Sequence, residues 1–313
     1  MNWLTKYLDS NPRLRPYYLM WLRGTTKTIN KWPKDKFIEG VMDCFERHCG
    51  YRFDLNNPVT FNEKLQWYKV YYRHPDFERI TDKVTFKDYI RERLGEGNTI
   101  PMFGYWTKVS DVLRDWGKLP NEFVLKSNMM ANASGVIVIR DKSKVDLKEL
   151  KKKLRMWLNP IYTLNNSWDC HFYSGTPKVL AEEFMQDEYG ELRDYKFFCF
   201  DGKAPYFRVD YGREKQHHAT FFDSDLNELD ISVPSFPKEE GVKIDLPKDI
   251  DQMVGMAKTL SKGFPFVRVD FFYCNGKPYL AEMTFAPGGG VSPYPEEFGR
   301  KLGEMLKLPI QAH

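Results

Sequence analysis

Cysteine is scarce in this sequence, and its pattern excludes two common structural uses of the residue. The five cysteines of the 313-residue chain are Cys44, Cys49, Cys170, Cys199 and Cys274. Their number is odd, and no two have the C-x-x-C spacing of a zinc or redox motif. The sequence therefore predicts neither a disulfide framework nor a zinc site, and it favours a reducing compartment.

Long apolar runs and a strong charge of one sign are also lacking. No apolar stretch approaches the ~20 residues that a membrane-spanning helix needs, and no signal-peptide pattern opens the sequence. The formal net charge is only +4, which is too small to indicate nucleic-acid binding. These absences predict a cytoplasmic protein with no nucleic-acid partner.

Aromatic side chains, in contrast, are abundant, with 23 Phe, 18 Tyr and 8 Trp. They suit stacking on sugars, although a large hydrophobic core is their ordinary use. The first forty residues combine aromatic and basic side chains, with a short apolar patch at residues 17–22. Such a segment can rest on an anionic membrane surface. The competing interpretation is a helical extension, residues 1–56, that packs on the main body.

The most informative stretch is a predicted hairpin at residues 266–285, in which two apolar-rich runs flank Asn275 and Gly276. Asn-Gly is a strong hairpin signal. We expect a three-residue loop, 274–276, because it gathers the apolar side chains on one face and pairs Arg268 with Glu282. The core face then carries Val267, Val269, Phe271, Tyr279, Ala281, Met283 and Phe285. The opposite face carries Arg268, Asp270, Glu282 and Thr284.

This polar face has two interpretations. Paired carboxylates beside an arginine and a hydroxyl suit a magnesium–phosphate site, since Mg²⁺ prefers oxygen ligands shared with phosphate and water. The alternative is a solvated hairpin face with a cross-strand ion pair between Arg268 and Glu282. The glycine run at 288–290 favours the site, because such a backbone permits close approach of a ligand. If the site is correct, Asp270→Asn should reduce metal-dependent turnover far more than folding.

Helices are predicted from capping and stop signals along the chain. Thr60 and Glu63 form a capping-box pattern that begins one helix. A second helix is expected at 82–95, with Asp82 as its cap, Gly95 as its stop and Lys83 in its first turn. Further helices are expected at 147–158, where the charge run is read as a solvated basic face, at 250–262 and at 294–306.

Strands are predicted at 121–127 and 136–140, at 177–185, and at 194–200 and 206–210 around the turn at 201–202. The first two flank a loop, 128–135, whose small residues can cover phosphates, with Lys126 at its base. His217 and His218 are candidates for a substrate loop. They are poor ligands for one metal ion, because adjacent strand residues point to opposite faces.

These elements, in this order, resemble the ATP-grasp superfamily and more narrowly its TupA-like family of teichuronopeptide biosynthesis. The resemblance extends over residues 57–309. Its motifs are Asn57-Pro58-Val59-Thr60-Phe61-Asn62-Glu63-Lys64, Asp82-Lys83, Phe123-Val124-Leu125-Lys126, Ala181-Glu182-Glu183, Asp194-Tyr195-Lys196-Phe197-Phe198-Cys199-Phe200, Val267-Arg268-Val269-Asp270-Phe271, Glu282-Met283-Thr284-Phe285 and Lys301-Leu302-Gly303.

The resemblance implies an α+β fold in which two lobes clamp ATP, with a helical N-terminal extension. The domains expected are an extension at 1–56, an α/β subdomain at 57–118, a lobe with the phosphate-covering loop at 119–185, and a lobe with the magnesium hairpin at 186–313. One feature departs from the family pattern. The loop after Lys126 lacks the family's histidine and has extra residues, so no catalytic role is assigned to it.

The resemblance also implies roles for individual residues, with ATP and Mg²⁺ as cofactors. Lys83 and Lys126 would contact the phosphates of ATP, and Asp194 the ribose. Glu182 would contact the adenine amino group, and the backbones of Glu183 and Met185 would also contact the nucleotide. Two residues would be catalytic. Arg268 would stabilise an acyl phosphate, and Lys196 would contact a phosphate or the substrate carboxylate. Magnesium is assigned to Asp270, Glu282 and Thr284.

The function implied is an ATP-dependent ligase that forms a carbon–nitrogen amide bond through an acyl phosphate. Its implied partners are a uronic-acid-containing saccharide and an amino acid or other amine, in cell-surface polysaccharide biosynthesis. Peripheral contact with the inner membrane face is a hypothesis that rests on the N-terminal segment. Two alternatives stay open: a kinase of a sugar or other hydroxyl with the same ATP site, and an ATP-binding module without turnover.

Overall fold

The computed structural model describes residues 33–130, 133–159, 175–213 and 215–309, together with Tyr7, Asn11, Leu14 and Trp168. Two predicted segments lie largely outside the described residues. They are the part of the N-terminal extension before residue 33 and the centre of the 128–135 loop. No helix in the described ranges is long and apolar enough to cross a bilayer.

The secondary structure of the described chain follows the predicted order closely. The helices are α1 Lys34–Cys49, α2 Phe61–Tyr71, α3 Phe77–Thr81, α4 Thr85–Leu94, α5 Val109–Asp115, α6 Leu147–Trp157, α7 Ile250–Ser261 and α8 Glu296–Met305. The strands are β1 Met102–Trp106, β2 Phe123–Ser127, β3 Val136–Ile139, β4 Val179–Glu182, β5 Asp194–Phe200, β6 Lys203–Tyr211, β7 His218–Asp223, β8 Glu228–Leu229, β9 Val267–Cys274 and β10 Lys277–Thr284.

The chain divides into two compact units, each assembled from separate stretches of sequence. The first comprises the described residues up to Glu39, with Pro75–Thr85 and Pro101–Phe184. The second comprises Gly40–His74, Phe86–Ile100 and the described residues from Met185 onward. Residues 57–118, expected as one subdomain, therefore contribute to both units.

The first unit is built on a four-stranded antiparallel sheet with the order β1-β4-β2-β3. One face of this sheet holds a core in which Phe123 and Leu125 pack with Leu150, Leu154 and Trp157 of the amphipathic helix α6. Because side chains alternate along a strand, the opposite face carries Lys126 of β2. Lys126 thus lies on the side of the sheet away from this core, one residue before the end of β2.

The second unit is built on a six-stranded antiparallel sheet with the order β10-β9-β5-β6-β7-β8. One face packs on α7, and stacked rings of Phe197 and Phe207, 5.0 Å apart, lie at its centre. The other face holds a second aromatic core, in which Phe61 of α2 meets Phe266 at 4.9 Å between ring centroids. This second face becomes polar toward one end of the strands, and the functional side chains lie there.

The predicted three-residue loop of the hairpin is wrong. Cys274 pairs with Lys277, so the loop is the two-residue turn Asn275 and Gly276, both with positive φ. A β-bulge between Leu280 and Glu282 then shifts the register by one residue. Glu282 consequently lies opposite Asp270, and not opposite Arg268 as expected.

The bulge keeps the predicted polar face intact. Arg268, Asp270, Glu282 and Thr284 still share one face, because the inserted residue restores the alternation that the shorter turn would have inverted. Between the turn and the bulge, however, the buried residues are Pro278 and Leu280. Tyr279 and Ala281, which were expected there, are only half-buried.

The helix expected at 82–95 begins later than predicted. Its first residue is Thr85, and Asp82 instead accepts a hydrogen bond from the Val84 N–H at 2.8 Å. Lys83 lies in the turn that this bond closes, not in the first helical turn. Gly95 ends the helix as predicted, with φ of 84° and its N–H donated to the Arg91 carbonyl at 2.9 Å.

Candidate active site

Three adjacent strands of the second unit share a face that is charged at one end and aromatic at the other. On the central strand, β5, Asp194 and Lys196 precede Phe198 along this face, and Phe198 belongs to the aromatic core. Its neighbours β6 and β9 change in the same way from aromatic to charged. Local alternation therefore places charged groups at one end of a face whose other end is packed with rings.

The two neighbours of β5 each contribute an Arg-Val-Asp triplet. On β9, Arg268 Nε donates to Asp270 Oδ1 at 2.7 Å. On β6, Arg208 Nε lies 2.8 Å from Asp210 Oδ1. Each arginine thus neutralises the aspartate two residues further along its own strand, where both side chains point to the same face.

Lys196 lies between these two pairs. Its Nζ is 3.0 Å from Asp270 Oδ2, 3.4 Å from Asp194 Oδ2 and 3.9 Å from Asp210 Oδ2. This position follows from the register, in which Lys196 pairs with Asp270 on one side and with Arg208 on the other. The lysine therefore joins both Arg-Asp pairs into one buried network.

Electrostatic pairing keeps this network charged despite its burial. Burial alone would raise the pKa of Asp270, but the charges of Arg268 and Lys196 outweigh it and hold the pKa at about 2. Burial would lower the pKa of Lys196, and Asp194 and Asp270 reverse that effect and raise it. For Asp194 burial prevails, so its pKa is raised although Lys196 and Arg213 oppose the shift.

Glu282 and Thr284 lie at one rim of the network. Arg268 Nη2 donates to Glu282 Oε1 at 3.3 Å and to Thr284 Oγ1 at 3.2 Å. The Glu282 side chain is 43% exposed, whereas Asp270 is fully buried. The rim therefore presents carboxylate and hydroxyl oxygens to solvent, backed by a buried carboxylate.

Arg213 lies at the other rim and was not among the predicted site residues. Its guanidinium is paired with Asp194 and lies 3.5 Å from Asp210 Oδ2. Arg208 and Asp210 were missed as well. The repeated Arg-Val-Asp triplet, present at 208–210 and again at 268–270, was the sequence signal that could have found them.

In the first unit, Lys126 and Glu182 are in contact with each other. Lys126 Nζ lies 2.6 Å from Glu182 Oε2, and both side chains are largely buried. The register accounts for this contact: Lys126 pairs with Leu180, so Glu182, two residues further along β4, is on the same face. The Glu183 N–H donates to the Pro101 carbonyl at 3.0 Å, so this backbone donor is already engaged.

The turn that holds Lys83 is tied to the loop that follows Lys126. Asp82 Oδ2 accepts a hydrogen bond from Asn128 Nδ2 at 2.9 Å and is paired with Lys178. Asn128 Oδ1 in turn accepts from the Lys178 N–H at 2.6 Å. These buried contacts fix the root of the loop and the position of Lys83 relative to one another.

The predicted site residues therefore fall into two groups, one in each unit. In the second unit the structure brings together Asp194, Lys196, Arg268, Asp270, Glu282 and Thr284. In the first unit it brings Lys126 to Glu182. Met185 belongs to a small apolar cluster of the second unit with Ile100 and Cys274.

Comparison with known protein families gives a match that covers most of the chain. The model of the TupA-like ATP-grasp family matches residues 63–307. No curated protein sequence matches the chain.

Several solved structures resemble the chain at low identity. D-alanine–D-alanine ligase from Helicobacter pylori has 16% identity and a TM-score of 0.41, over 72% of this chain and 61% of that one. The Bacillus anthracis enzyme complexed with ATP has 21% identity and a TM-score of 0.42, over 72% and 65%. The ATP-grasp ligase PsnB, complexed with a phosphomimetic variant of its minimal precursor, Mg and ADP, has 10% identity and a TM-score of 0.38, over 74% and 60%.

The family match defines the class of protein as ATP-grasp, with the α+β fold that the sequence predicted. The chain belongs to the TupA-like ATP-grasp family, which confirms the assignment made from the order of its motifs.

Proposed function

We propose that the protein is an ATP-dependent carboxylate–amine ligase that works through an acyl phosphate. The observation that carries the proposal is the buried network in which Lys196 joins Arg268 and Asp270, with Glu282 and Thr284 at its rim. Burying such charges is costly unless they are paired. A network of this kind, open at a rim of oxygen ligands, suits the binding of a reacting phosphoryl group.

The chemistry needs positioning and charge neutralisation more than covalent catalysis. A carboxylate is a poor electrophile at neutral pH, and transfer of a phosphoryl group from ATP converts it into an activated acyl donor. Lys196 and Arg268 are proposed to neutralise the charge on the transferring phosphoryl group and on the acyl phosphate. Lys83, Lys126 and Glu182 are proposed to hold the nucleotide.

The rim residues fit a magnesium ion that arrives with the nucleotide. Asp270 and Glu282 face one another across β9 and β10, and Thr284 adds a hydroxyl. No cluster of three or more His, Cys, Asp or Glu arranged for a metal occurs in the described residues. That agrees with Mg²⁺, which is commonly held by one or two carboxylates plus phosphate oxygens and water. When bound, the ion would offset negative charge on the phosphates.

The substrate proposal rests on the family resemblance. We propose a uronic-acid carboxyl group of a cell-surface polysaccharide or its precursor as the acyl donor and an amino acid or other amine as the acceptor. A cytoplasmic location with peripheral contact at the membrane is also proposed, because the N-terminal segment is basic and aromatic.

The deciding experiment measures ADP and free phosphate with Mg-ATP across a matrix of uronic acids and amino acids, both as free acids and as polyuronate oligomers. Free phosphate that appears in equal amount to ADP, and only with one acid–amine pair, is the expected result. ADP without free phosphate contradicts the ligase and identifies a kinase. If no pair turns over although calorimetry shows ATP binding, the ligase proposal fails in favour of a binding module.

Replacing Glu282 is the most direct test of the proposed magnesium site. Because its side chain is half-exposed, Glu282→Gln should leave the free energy of unfolding within about 0.5 kcal/mol of the wild-type value. The magnesium concentration for half-maximal turnover should rise at least about tenfold, since one charged ligand is lost. The matched control is Glu296→Gln on α8, whose side chain is 79% exposed. Equal magnesium dependence in the two variants would contradict the assignment.

A further inference from the structure

The proposed ligase reaction requires a proton acceptor that the residues assigned so far do not supply. An amine is protonated at neutral pH and must lose a proton to attack the acyl phosphate. In the described network, Lys196, Arg208, Arg213 and Arg268 are cations. Asp270 and Glu282 are assigned to the metal, and Asp194 is paired with Lys196 and Arg213. The inference that follows rests on the proposed ligase function.

His217 lies immediately before β7, at the Arg213 rim of the network. Its Nε2 is 3.2 Å from Asp210 Oδ2, outside the direction of a well-aligned hydrogen bond, and its side chain is 34% exposed. The ring packs 5.5 Å from that of Phe236. One nitrogen thus faces a buried carboxylate, while part of the ring is open to solvent.

The groups around this imidazole come from each segment that packs on it. Asp210 of β6 is the carboxylate that faces it. Arg208 shares that carboxylate, and its guanidinium lies 3.9 Å from the centroid of Phe236. Arg213 is 3.5 Å from the same Asp210 oxygen. The imidazole thus lies against one carboxylate and one aromatic ring, and two arginines pair with that carboxylate.

Asp210 connects this histidine to the buried network. The Asp210 oxygen that faces His217 lies 3.9 Å from Lys196 Nζ, and Lys196 Nζ is 3.0 Å from Asp270 Oδ2. Only one carboxylate therefore separates the imidazole from the lysine assigned to the phosphoryl group. A carboxylate behind an imidazole orients the ring and stabilises its protonated form.

We propose that His217 accepts the proton of the attacking amine and that Asp210 is its positioning residue. Imidazole is the side-chain group that ordinarily changes charge between pH 5 and 8. Contacts of a catalytic base are often poorly aligned without substrate and tighten in the complex.

In the proposed step the substrate ammonium gives one proton to His217, and the amine nitrogen attacks the carbonyl carbon of the acyl phosphate. The carbon–nitrogen bond forms as the bond from carbon to the phosphate oxygen breaks. The second proton lost by nitrogen leaves with the phosphate, which departs as hydrogen phosphate. No electron is gained or lost by the protein.

The neighbouring histidine provides a matched control. His218 Nδ1 is 2.9 Å from the Pro237 carbonyl oxygen, and its ring lies 5.7 Å from that of Tyr211. As the adjacent residue on an extended strand, its side chain is directed to the opposite face. His218→Gln therefore changes the same residue type next to the site and leaves the proposed proton path intact.

The experiment separates activation of the acid from transfer to the amine. The full-length wild type, His217→Gln and His218→Gln are assayed with Mg-ATP and the panel of uronic acids and polyuronate oligomers, once with hydroxylamine and once with amino acids. Hydroxylamine is unprotonated at neutral pH, so it traps the acyl phosphate without needing a base. His217→Gln should form hydroxamate within twofold of wild type and lose about 100-fold or more in kcat for amide formation at pH 7.

A pH profile distinguishes a chemical role from a structural one. Amide formation by His217→Gln should recover as the pH rises toward the pKa of the amine, whereas His218→Gln should follow the wild-type profile. Equal loss of hydroxamate and amide in His217→Gln, or equal loss in both variants, overturns the inference. If the wild type forms neither product with any probe, the proposed ligase function itself fails, and the inference fails with it.

Discussion

Asp270 shows at the scale of a single residue how the site combines stability and chemistry. Its side chain is fully buried, and two cations keep it ionised. Replacing it with asparagine would leave Arg268 and Lys196 without their full counter-charge in the interior, a change that costs on the order of 3 kcal/mol. The expectation that Asp270→Asn would affect turnover far more than folding is therefore revised: both should fall.

The same burial predicts a dependence of stability on pH. The pKa of Asp270 is lowered to about 2 in the folded protein, below its value of about 4 in an unfolded chain. The stability gained from its charged form is therefore complete above pH 4 and is lost as the pH falls toward 2. The gap in unfolding free energy between wild type and Asp270→Asn should narrow over that interval.

Urea denaturation at constant ionic strength, from pH 6 to pH 2, measures this gap. Asp88→Asn is the control, because Asp88 forms a surface pair with Arg91 and its side chain is 51% exposed. Its stability difference from wild type should stay small at every pH. A gap that stays constant for Asp270→Asn from pH 4 to pH 2 would show that Arg268 and Lys196 do not hold the carboxylate ionised.

At the scale of the element, the contacts of α2 give a structural role to the motifs at 57–64 and 301–303, to which the resemblance assigned no role. Its capping box is formed as predicted, with the Glu63 N–H donating to Thr60 Oγ1 at 3.3 Å. Lys64 Nζ donates to the carbonyls of Gly303 and Leu306 at 2.7 and 3.0 Å, at the end of α8. The two family motifs at 57–64 and 301–303 thus hold one helix against the other.

A second set of contacts from α2 fixes the glycine run. Gln66 Nε2 donates to the Gly290 carbonyl at 2.6 Å, and the buried Lys69 Nζ donates to the Gly289 carbonyl at 2.8 Å. Gly289 and Gly290 both have positive φ, which glycine adopts without strain. The glycine run that was expected to approach a ligand is therefore also a fixed part of the packing of α2.

The close approach of α2 and α8 predicts that Gly303→Ala is destabilising. A Cβ at this position would overlap the Val59 carbonyl oxygen and lie 2.9 Å from the Phe61 nitrogen, both of which are backbone atoms. We expect a loss of about 1–3 kcal/mol, as for other overpacked sites. Urea denaturation of the full-length variant measures it.

Gly255→Ala is the matched control for that variant. Gly255 lies within α7, and a Cβ there would meet no atom within 4 Å. Alanine should raise the stability of this helix by about 0.5–1 kcal/mol, because it lowers the entropy lost on folding. If Gly303→Ala proves as harmless as Gly255→Ala, α2 and α8 do not approach as closely as described.

At the scale of the whole molecule, the division of the chain has consequences for folding. The second unit draws α2 from the early part of the sequence and its sheet from residues after Met185. Phe61 and Leu65 of α2 are fully buried in the aromatic core of that sheet. The sequence from 185 onward therefore lacks part of its own core.

We predict that a fragment of residues 185–313 does not fold cooperatively. Removing α2 takes away Phe61, whose ring packs against those of Phe200 and Phe266. The loss of one buried phenylalanine alone costs about 3–5 kcal/mol. A typical domain has only about 5–15 kcal/mol of stability in total. Circular dichroism during urea titration should show a cooperative transition for the full chain and none for the fragment. A cooperative transition of the fragment would contradict the assignment of α2 to this unit.

The amino-acid sequence by itself determined the features that depend on local periodicity and local signals. Alternation placed Arg268 with Asp270 on one face of β9 and Glu282 with Thr284 on one face of β10, and the Thr60–Glu63 pattern predicted the start of α2. The order of motifs identified the family, and the family model matches residues 63–307.

Only the tertiary structure decided which groups meet. The bulge near Glu282 set its pairing with Asp270, because register depends on the partner strand and on the turn as well as on alternation. The meeting of Lys196 with a second Arg-Asp pair depends on the strand order that places β5 between β6 and β9. A sequence pattern of period two fixes the face on which a side chain lies, but contacts between distant segments are fixed only when the whole sheet is assembled.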